Sequence, residues 1–180
     1  MQSKGFTIIE LLITIFILSI GVIGIYGAFS AMIVFTNNAS DQLQAAYLAQ
    51  EGIEIIRNIR DTNWLQAEVW NTGLDSCESG CEADYKTTGD LLNPVDTSFG
   101  DFLYKNNDGL YGYAIGENFE ESKFKRKITI TPVPNKDYAM DVVIEVSWSK
   151  KKDLISDSAL AGDCLQRNCV TVQEILYDWY

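Results

Sequence analysis

The sequence predicts an α+β fold in which one long N-terminal helix is laid against an antiparallel β-sheet. Three observations carry that expectation. From Phe6 to Asp61 the chain contains no proline and its apolar residues are compatible with helix throughout. Beyond about residue 100 apolar and polar residues alternate in strand period, and clusters of Asn, Asp, Pro and Gly separate the alternating runs.

The first half of the predicted helix, residues 6–35, is a long apolar run whose only charge is Glu10, and it follows a short polar leader, residues 1–5 (MQSKG). A helix needs ~20 apolar residues to cross a bilayer, and this run is longer, so it reads as a membrane segment. Ordinary secretory signals are cut after the apolar region at a small-residue site. No A-x-A pattern closes this run, and the small residue suited to a cut, Gly5, stands before it, directly after Lys4. An acid at membrane depth costs roughly 2.5 to 3.5 kcal/mol on insertion scales, so Glu10 calls for a cation nearby. A cut between Gly5 and Phe6 creates one, a new α-amino group four residues away. The alternative places Glu10 in the headgroup region of a plain anchor. Gly21, Gly24 and Gly27 fall three apart on roughly one face, which suits close helix packing, local unwinding or a general small-residue contact face.

The second half, residues 36–61, is amphipathic. The polar cluster from Thr36 to Asp41 marks the exit from the bilayer and can kink the helix without ending it. Leu43, Tyr47, Ile53, Ile56 and Ile59, helped by Ala46 and Ala49, define the expected buried face. Asp41, Gln44, Glu51, Glu54, Arg57 and Asp61 occupy the other, with Arg57 and Asp61 at pairing distance along the helix. Unbroken, the two halves make a rod of about 80 Å at ~1.5 Å per residue.

Residues 62–180 form the soluble domain, loop-rich to about residue 100, with Trp64 as the expected core anchor. Strands are expected at 102–105 and 110–114 around the turn Asn106-Asn107-Asp108-Gly109, at 124–133 and 139–149 around Pro134-Asn135-Lys136-Asp137, and within 169–180. The glycines between 112 and 116 belong to a strand and not to a nucleotide loop. Val142, Ile144, Val146 and Trp148 alternate with Glu145 and Ser147, giving one buried and one wet face. The basic run Lys123–Lys127 (KFKRK) reads as a strand edge with solvated charges, with a local basic patch as the alternative.

Composition narrows the function. The chain has 14 Lys and Arg against 25 Asp and Glu, a formal charge of -11, and more negative still once Lys4 is removed. Such a surface repels nucleic acid at long range, so no direct nucleic-acid binding is expected. Histidine is absent, which removes Ser-His-Asp and Cys-His catalysis and HExxH zinc sites. No Walker loop and no GxGxxG sequence occurs, and no acidic pair stands out from the acidic surface for glycoside chemistry. No cofactor and no metal is expected.

The four cysteines, Cys77, Cys81, Cys164 and Cys169, all lie in the soluble part. An even number in an exported domain argues for two disulfides. Zinc is disfavoured by the CESGC and CLQRNC spacings and the missing histidine. Local pairs, Cys77 with Cys81 and Cys164 with Cys169, close turn-like loops without asking distant segments to meet. A crosslink joining the two clusters remains the alternative, because loop entropy gives about 2 kcal/mol for the short loops and over ~4 kcal/mol for the long ones. The tripeptide Asn38-Ala39-Ser40 matches a glycosylation sequon, and the acidic stretch from Glu78 to Asp84 has the charge to hold calcium, though ordinary solvation explains it as well.

The segment KGFTIIELL resembles the processing motif of type IV prepilins and the related secretion pseudopilins. That resemblance implies Gly5 as the residue before the peptidase cut, Phe6 as the N-methylated first residue of the mature chain, and Glu10 as the acid that acts in filament assembly. It implies as partners a prepilin peptidase, other pilin subunits in a helical filament, an inner-membrane assembly platform, and membrane lipid before assembly. The soluble part, with AxLAQEGIEIIRNIRDTNW, FKRKITI and a terminal LYDW, is similar to minor pilins of the pilus modification group. The expectation is a pilin-like, non-enzymatic subunit, single-pass in the inner membrane and then on a surface pilus. A type II pseudopilin is the alternative within the family. A membrane-tethered sensor or carboxylate-based enzyme with an uncleaved anchor is the alternative outside it.

Overall fold

The computed structural model describes residues 5, 7–87, 92–95, 100–148, 164 and 168–179. Among the described residues an α-helix, α1 (Ile8–Leu65), and a single 3-10 turn (Asp75–Cys77) precede the strands β1 (Cys81–Glu82), β2 (Asn93–Pro94), β3 (Phe102–Asn106), β4 (Tyr111–Gly112), β5 (Phe119–Pro132), β6 (Ala139–Trp148) and β7 (Cys169–Tyr177). The architecture is α+β: a long N-terminal helix packed against an open antiparallel sheet. Contacts divide the chain into two units, Met1–Ser40 and Asp41–Tyr180. α1 continues through Gly21, Gly24, Gly27 and the polar cluster at 36–41, because helix propagation is cooperative and none of these residues removes a backbone donor.

In the second unit β5 is central. β6 pairs along one edge, from Phe124↔Trp148 to Pro132↔Met140, while β3 and β1 share the other. β7 pairs with the outer edge of β6, and β2 and β4 extend β1 and β3. Strand alternation and this register put Phe124, Ile128, Val142, Ile144, Val146 and Leu176 on one face, all buried against α1. Two charges share that apolar face, Arg126 on β5 and Glu174 on β7. Each meets an opposite charge on the helix: Arg126 NH1 donates to Glu51 at 3.2 Å, and Arg57 donates to both carboxylate oxygens of Glu174 at 3.0 and 2.6 Å.

The buried face of α1 keeps Ala49, Ile53, Ile56 and Ile59 of the expected one and departs from it at Leu43 and Tyr47. Leu43 and Tyr47 are 57% and 62% exposed, and the sheet is met by Ala45, Leu48, Ala49, Gly52, Ile53, Ile56 and Ile59. The helix approaches through small residues, which bring its backbone closer than a row of large side chains allows. Arg57 does not pair with Asp61, which takes Arg60 at 2.9 Å instead. A planar guanidinium gains more from the two parallel bonds to Glu174.

KFKRK is not a solvated edge. Phe124 to Ile128 are all buried, and Arg126 is 0% exposed. Its NH1 donates to Leu48 O at 3.0 Å, its NH2 donates to Ala83 O, and its own carbonyl accepts from the Tyr113 hydroxyl at 3.3 Å. On the opposite face of β5 the Lys127 stem lies against Gly80. A side chain at Gly80 would sit 2.4 Å from Lys127 Cε and require φ +119°, so only glycine fits.

α1 ends beyond the expected Asp61. Glu68 N donates to Asn63 O at 2.9 Å and Ala67 N to Trp64 O at 3.1 Å, the paired bonds of a Schellman cap, with Ala67 at φ 57° where glycine is usual. Asn63 then holds the following turn, donating to Trp70 O at 3.1 Å and Thr72 O at 3.0 Å. Trp70 and Trp148 are the buried indoles, whereas Trp64 is only partly buried. The expected 102–105 strand extends to Asn106, and Asn106 Oδ1 accepts from Asp108 N and Leu110 N, both at 2.9 Å, to shape its hairpin. The expected 110–114 strand shrinks to Tyr111–Gly112, while β5 begins five residues earlier than expected, at Phe119. Ser147 departs from the wet face at 3% exposure. Residue 149 of the expected fourth strand lies outside the described residues, and the last strand occupies Cys169–Tyr177.

Candidate functional site

The candidate site is the N-terminal segment, built on the first turns of α1. Gly5 is exposed, with open space where a side chain would project. Phe6, the expected methylated residue, lies outside the described residues. Thr7 precedes the helix, and its Oγ1 accepts from Glu10 N at 3.4 Å while Leu11 N donates to Thr7 O at 3.2 Å. Threonine followed three residues later by glutamate is the spacing of a capping box. Glu10 therefore sits in the first turn, where the unpaired N–H groups and the positive end of the helix dipole favour a carboxylate by about 0.3–1 kcal/mol. The signal for this second role of Glu10 in the sequence is the T-x-x-E spacing from Thr7 to Glu10.

From Ile8 to Phe35 every position is exposed, the large apolar residues included. This is the one described helix long and apolar enough to cross a membrane. Two of its hydroxyls turn back on the backbone: Thr14 Oγ1 donates to Glu10 O and to Leu11 O at 3.2 Å, and Ser19 Oγ to Ile15 O at 2.7 Å. A hydroxyl bonded in this way needs no water, as an apolar solvent demands. Gly21, Gly24 and Gly27 meet nothing within 4 Å and leave a track bare of side chains. Asn38 of the sequon is exposed within α1.

The cysteines occupy the second unit. Cys77 and Cys81 form a disulfide with Cα atoms 5.2 Å apart, and both are fully buried. Cys164 and Cys169 form the other, with Cα atoms 5.4 Å apart. The acids around the first bridge serve the fold: Glu82 accepts from Asp101 N, and Asp84 accepts from Lys86 N at 2.9 Å and Tyr113 N at 3.2 Å. Burial holds the Glu82 carboxyl above its usual range, and burial also pushes the Tyr113 phenol up. Among the described residues no group of three or more His, Cys, Asp or Glu side chains converges as a metal site would.

Residues 1–26 match the family model described as the prokaryotic N-terminal methylation motif, the type IV prepilin-type signature. The match covers Gly5, Phe6 and Glu10 and stops within α1. Nothing among the curated proteins or the solved structures matches the chain.

Proposed function

We propose that this chain, which carries the prepilin-type signature at its N-terminus, is a minor pilin: a structural subunit that enters a surface filament through its N-terminal helix and turns over no substrate. The signature supports a type IV pilin-like or pseudopilin protein generally, processed by prepilin peptidase and assembled with other subunits. What supports entry into a filament is the division of labour along α1. Its matched first half is bare and apolar on every side, and its second half bears the folded, acidic sheet domain. A helix apolar all round is stable only in lipid or among other helices.

In this reading the peptidase cuts after Gly5, Phe6 is methylated, and lipid holds the subunit in the inner membrane until the assembly platform extracts it. Glu10 then pairs with the Phe6 amine of an adjacent subunit, since an unpaired carboxylate in an apolar medium is costly and a paired one much less so. N-terminal mass spectrometry of the mature protein tests the cut, and a first residue other than Phe6 refutes it. Glu10→Ala is expected to be inserted and cut normally yet depleted from sheared filaments relative to the membrane pool. Equal incorporation removes Glu10 from assembly. Wild-type protein that stays in the envelope and never reaches sheared fibres makes the chain a pseudopilin instead.

A further inference from the structure

Where α1 ends, the second unit holds an open cavity of about 610 Å³, within the size range of small-molecule sites. One wall is the last helical turn, with Trp64 and Leu65, and the other is Trp179, just past β7. The two indoles meet edge to face with centroids 6.3 Å apart. Trp179 is 71% exposed and Leu65 89%, although the backbone beside Trp179 is tied down by Asp178 N donating to Tyr138 O at 2.8 Å. Trp179 thus offers a large, accessible aromatic face beside the cavity.

The floor is Arg60. Its guanidinium carbon lies 4.8 Å from the Trp64 ring centre and 5.5 Å from that of Trp179, and its side chain is 7% exposed. Asp61 accepts from Arg60 Nε at 2.9 Å and neutralises it. The cation position between the indoles is thus already filled by the protein's own arginine, which disfavours a cationic ligand. Anionic ligands meet the Asp61 and Glu68 carboxylates on a chain of net charge -11. A wholly apolar ligand would strip water from those carboxylates without replacing their hydrogen bonds. What fits is a ligand with one apolar C–H face for the indole, whose ring face is electron-rich, and several hydroxyl donors for the carboxylates.

A second observation points the same way. Ala67 lines the cavity in the left-handed region, φ 57°, at the cap position where glycine would remove the strain. Backbone strain of this kind gathers at functional sites.

We propose that this cavity binds a neutral sugar ring, stacked on Trp179 with its hydroxyls donating to Asp61 and Glu68. The test is saturation-transfer NMR on the full-length protein in polyoxyethylene-ether micelles, which carry no sugar. The probes are the methyl glycosides of glucose, galactose, mannose and N-acetylglucosamine, with tetramethylammonium as the cation control. At least one glycoside is expected to saturate, with affinity falling at least about tenfold in Trp179→Ala and severalfold in Asp61→Asn. Tyr47→Ala, which removes an equally exposed ring elsewhere, is expected to leave binding unchanged. Absence of saturation by any glycoside overturns the proposal, as does undiminished binding in Trp179→Ala. Saturation by tetramethylammonium alone overturns it in favour of a cation site.

Discussion

Replacing Gly52 with alanine adds one methyl group at the point where α1 comes nearest to β6. An ideal Cβ there lies 2.7 Å from Ile144 Cδ1, 3.3 Å from Ile144 Cγ2 and 3.4 Å from Arg126 Cδ. Two effects oppose each other. Alanine gains roughly 0.8–1.0 kcal/mol of helix propensity over glycine. Overpacking a close-packed core costs typically ~1–3 kcal/mol, and Ile144 is fully buried and branched at Cβ, so its end cannot swing aside freely. The net expectation is a loss of about 0–2 kcal/mol. Ile144→Val deletes the clashing Cδ1 and by itself costs about 0.5–1.5 kcal/mol. In the double variant alanine keeps its propensity and meets little resistance, so the pair should be more stable than the sum of the singles by about 1 kcal/mol or more. The assay is urea denaturation of the full-length protein in micelles, followed by tryptophan fluorescence, for all four corners of the cycle. Additivity within ~0.5 kcal/mol refutes the close approach, and so does a full propensity gain from Gly52→Ala alone.

Three further outcomes are expected of the same domain. Glu82 has a folded pKa raised by burial, so its contribution to stability is complete below the unfolded value near 4.5 and lost as pH rises through the folded value; Glu82→Gln should match wild type in acid and pull ahead in urea midpoint towards neutral pH, and a gap that stays constant with pH counts against this. Removing the first bridge with Cys77→Ala and Cys81→Ala should cost about 2 kcal/mol, and reducing the wild type should reproduce part of that shift; peptide maps linking either residue to Cys164 or Cys169 would show different pairing. Ala67→Gly relieves roughly 1–2 kcal/mol of left-handed strain against about 0.4–1 kcal/mol of added unfolded-chain entropy, so a net gain of up to about 1.5 kcal/mol in urea midpoint stability is expected, and a loss would show that the cap is not strained.

The parts of the fold that read directly from the sequence are those with local signals. α1 has no proline, Val142, Ile144, Val146 and Trp148 recur at strand period in β6, and Asn106 to Gly109 carries its own turn chemistry. Elements fixed by distant partners do not read this way. β1 and β2 are two residues each and exist because Cys81 pairs with Ile128 and Pro94. Arg126 looks solvated beside Lys125 and Lys127, and its burial depends on carbonyls at Leu48 and Ala83, far away in sequence. On α1 the expected Ala49, Ile53, Ile56 and Ile59 meet the sheet, while Leu43 and Tyr47 stay exposed and the helix docks closely through Ala45, Ala49 and Gly52. At the candidate site the charge and spacing of Gly5 and Glu10 were legible, and the matched motif covers both. The cavity under Trp179 joins the end of α1 to the end of the chain, a meeting no local pattern announces.

The Arg57–Glu174 contact bears on how the last strand finds its place. β6 ends at Trp148 and β7 begins at Cys169, so β7 arrives on a long connection. The entropy of closing such a connection changes only slowly with its length, and does little to choose among neighbouring alignments. Val170, Val172 and Leu176 face the helix side and are similar enough in size to trade places after a two-residue slip. Glu174 is not. A slipped strand would set an aliphatic side chain under Arg57 and, in one direction, drive the carboxylate into the place of Leu176, which is 1% exposed, where an unpaired charge is strongly disfavoured. Being partly exposed, the pair adds little to stability in the correct alignment, yet it makes the incorrect ones expensive. It acts as an address, telling the final strand of the chain where to stop.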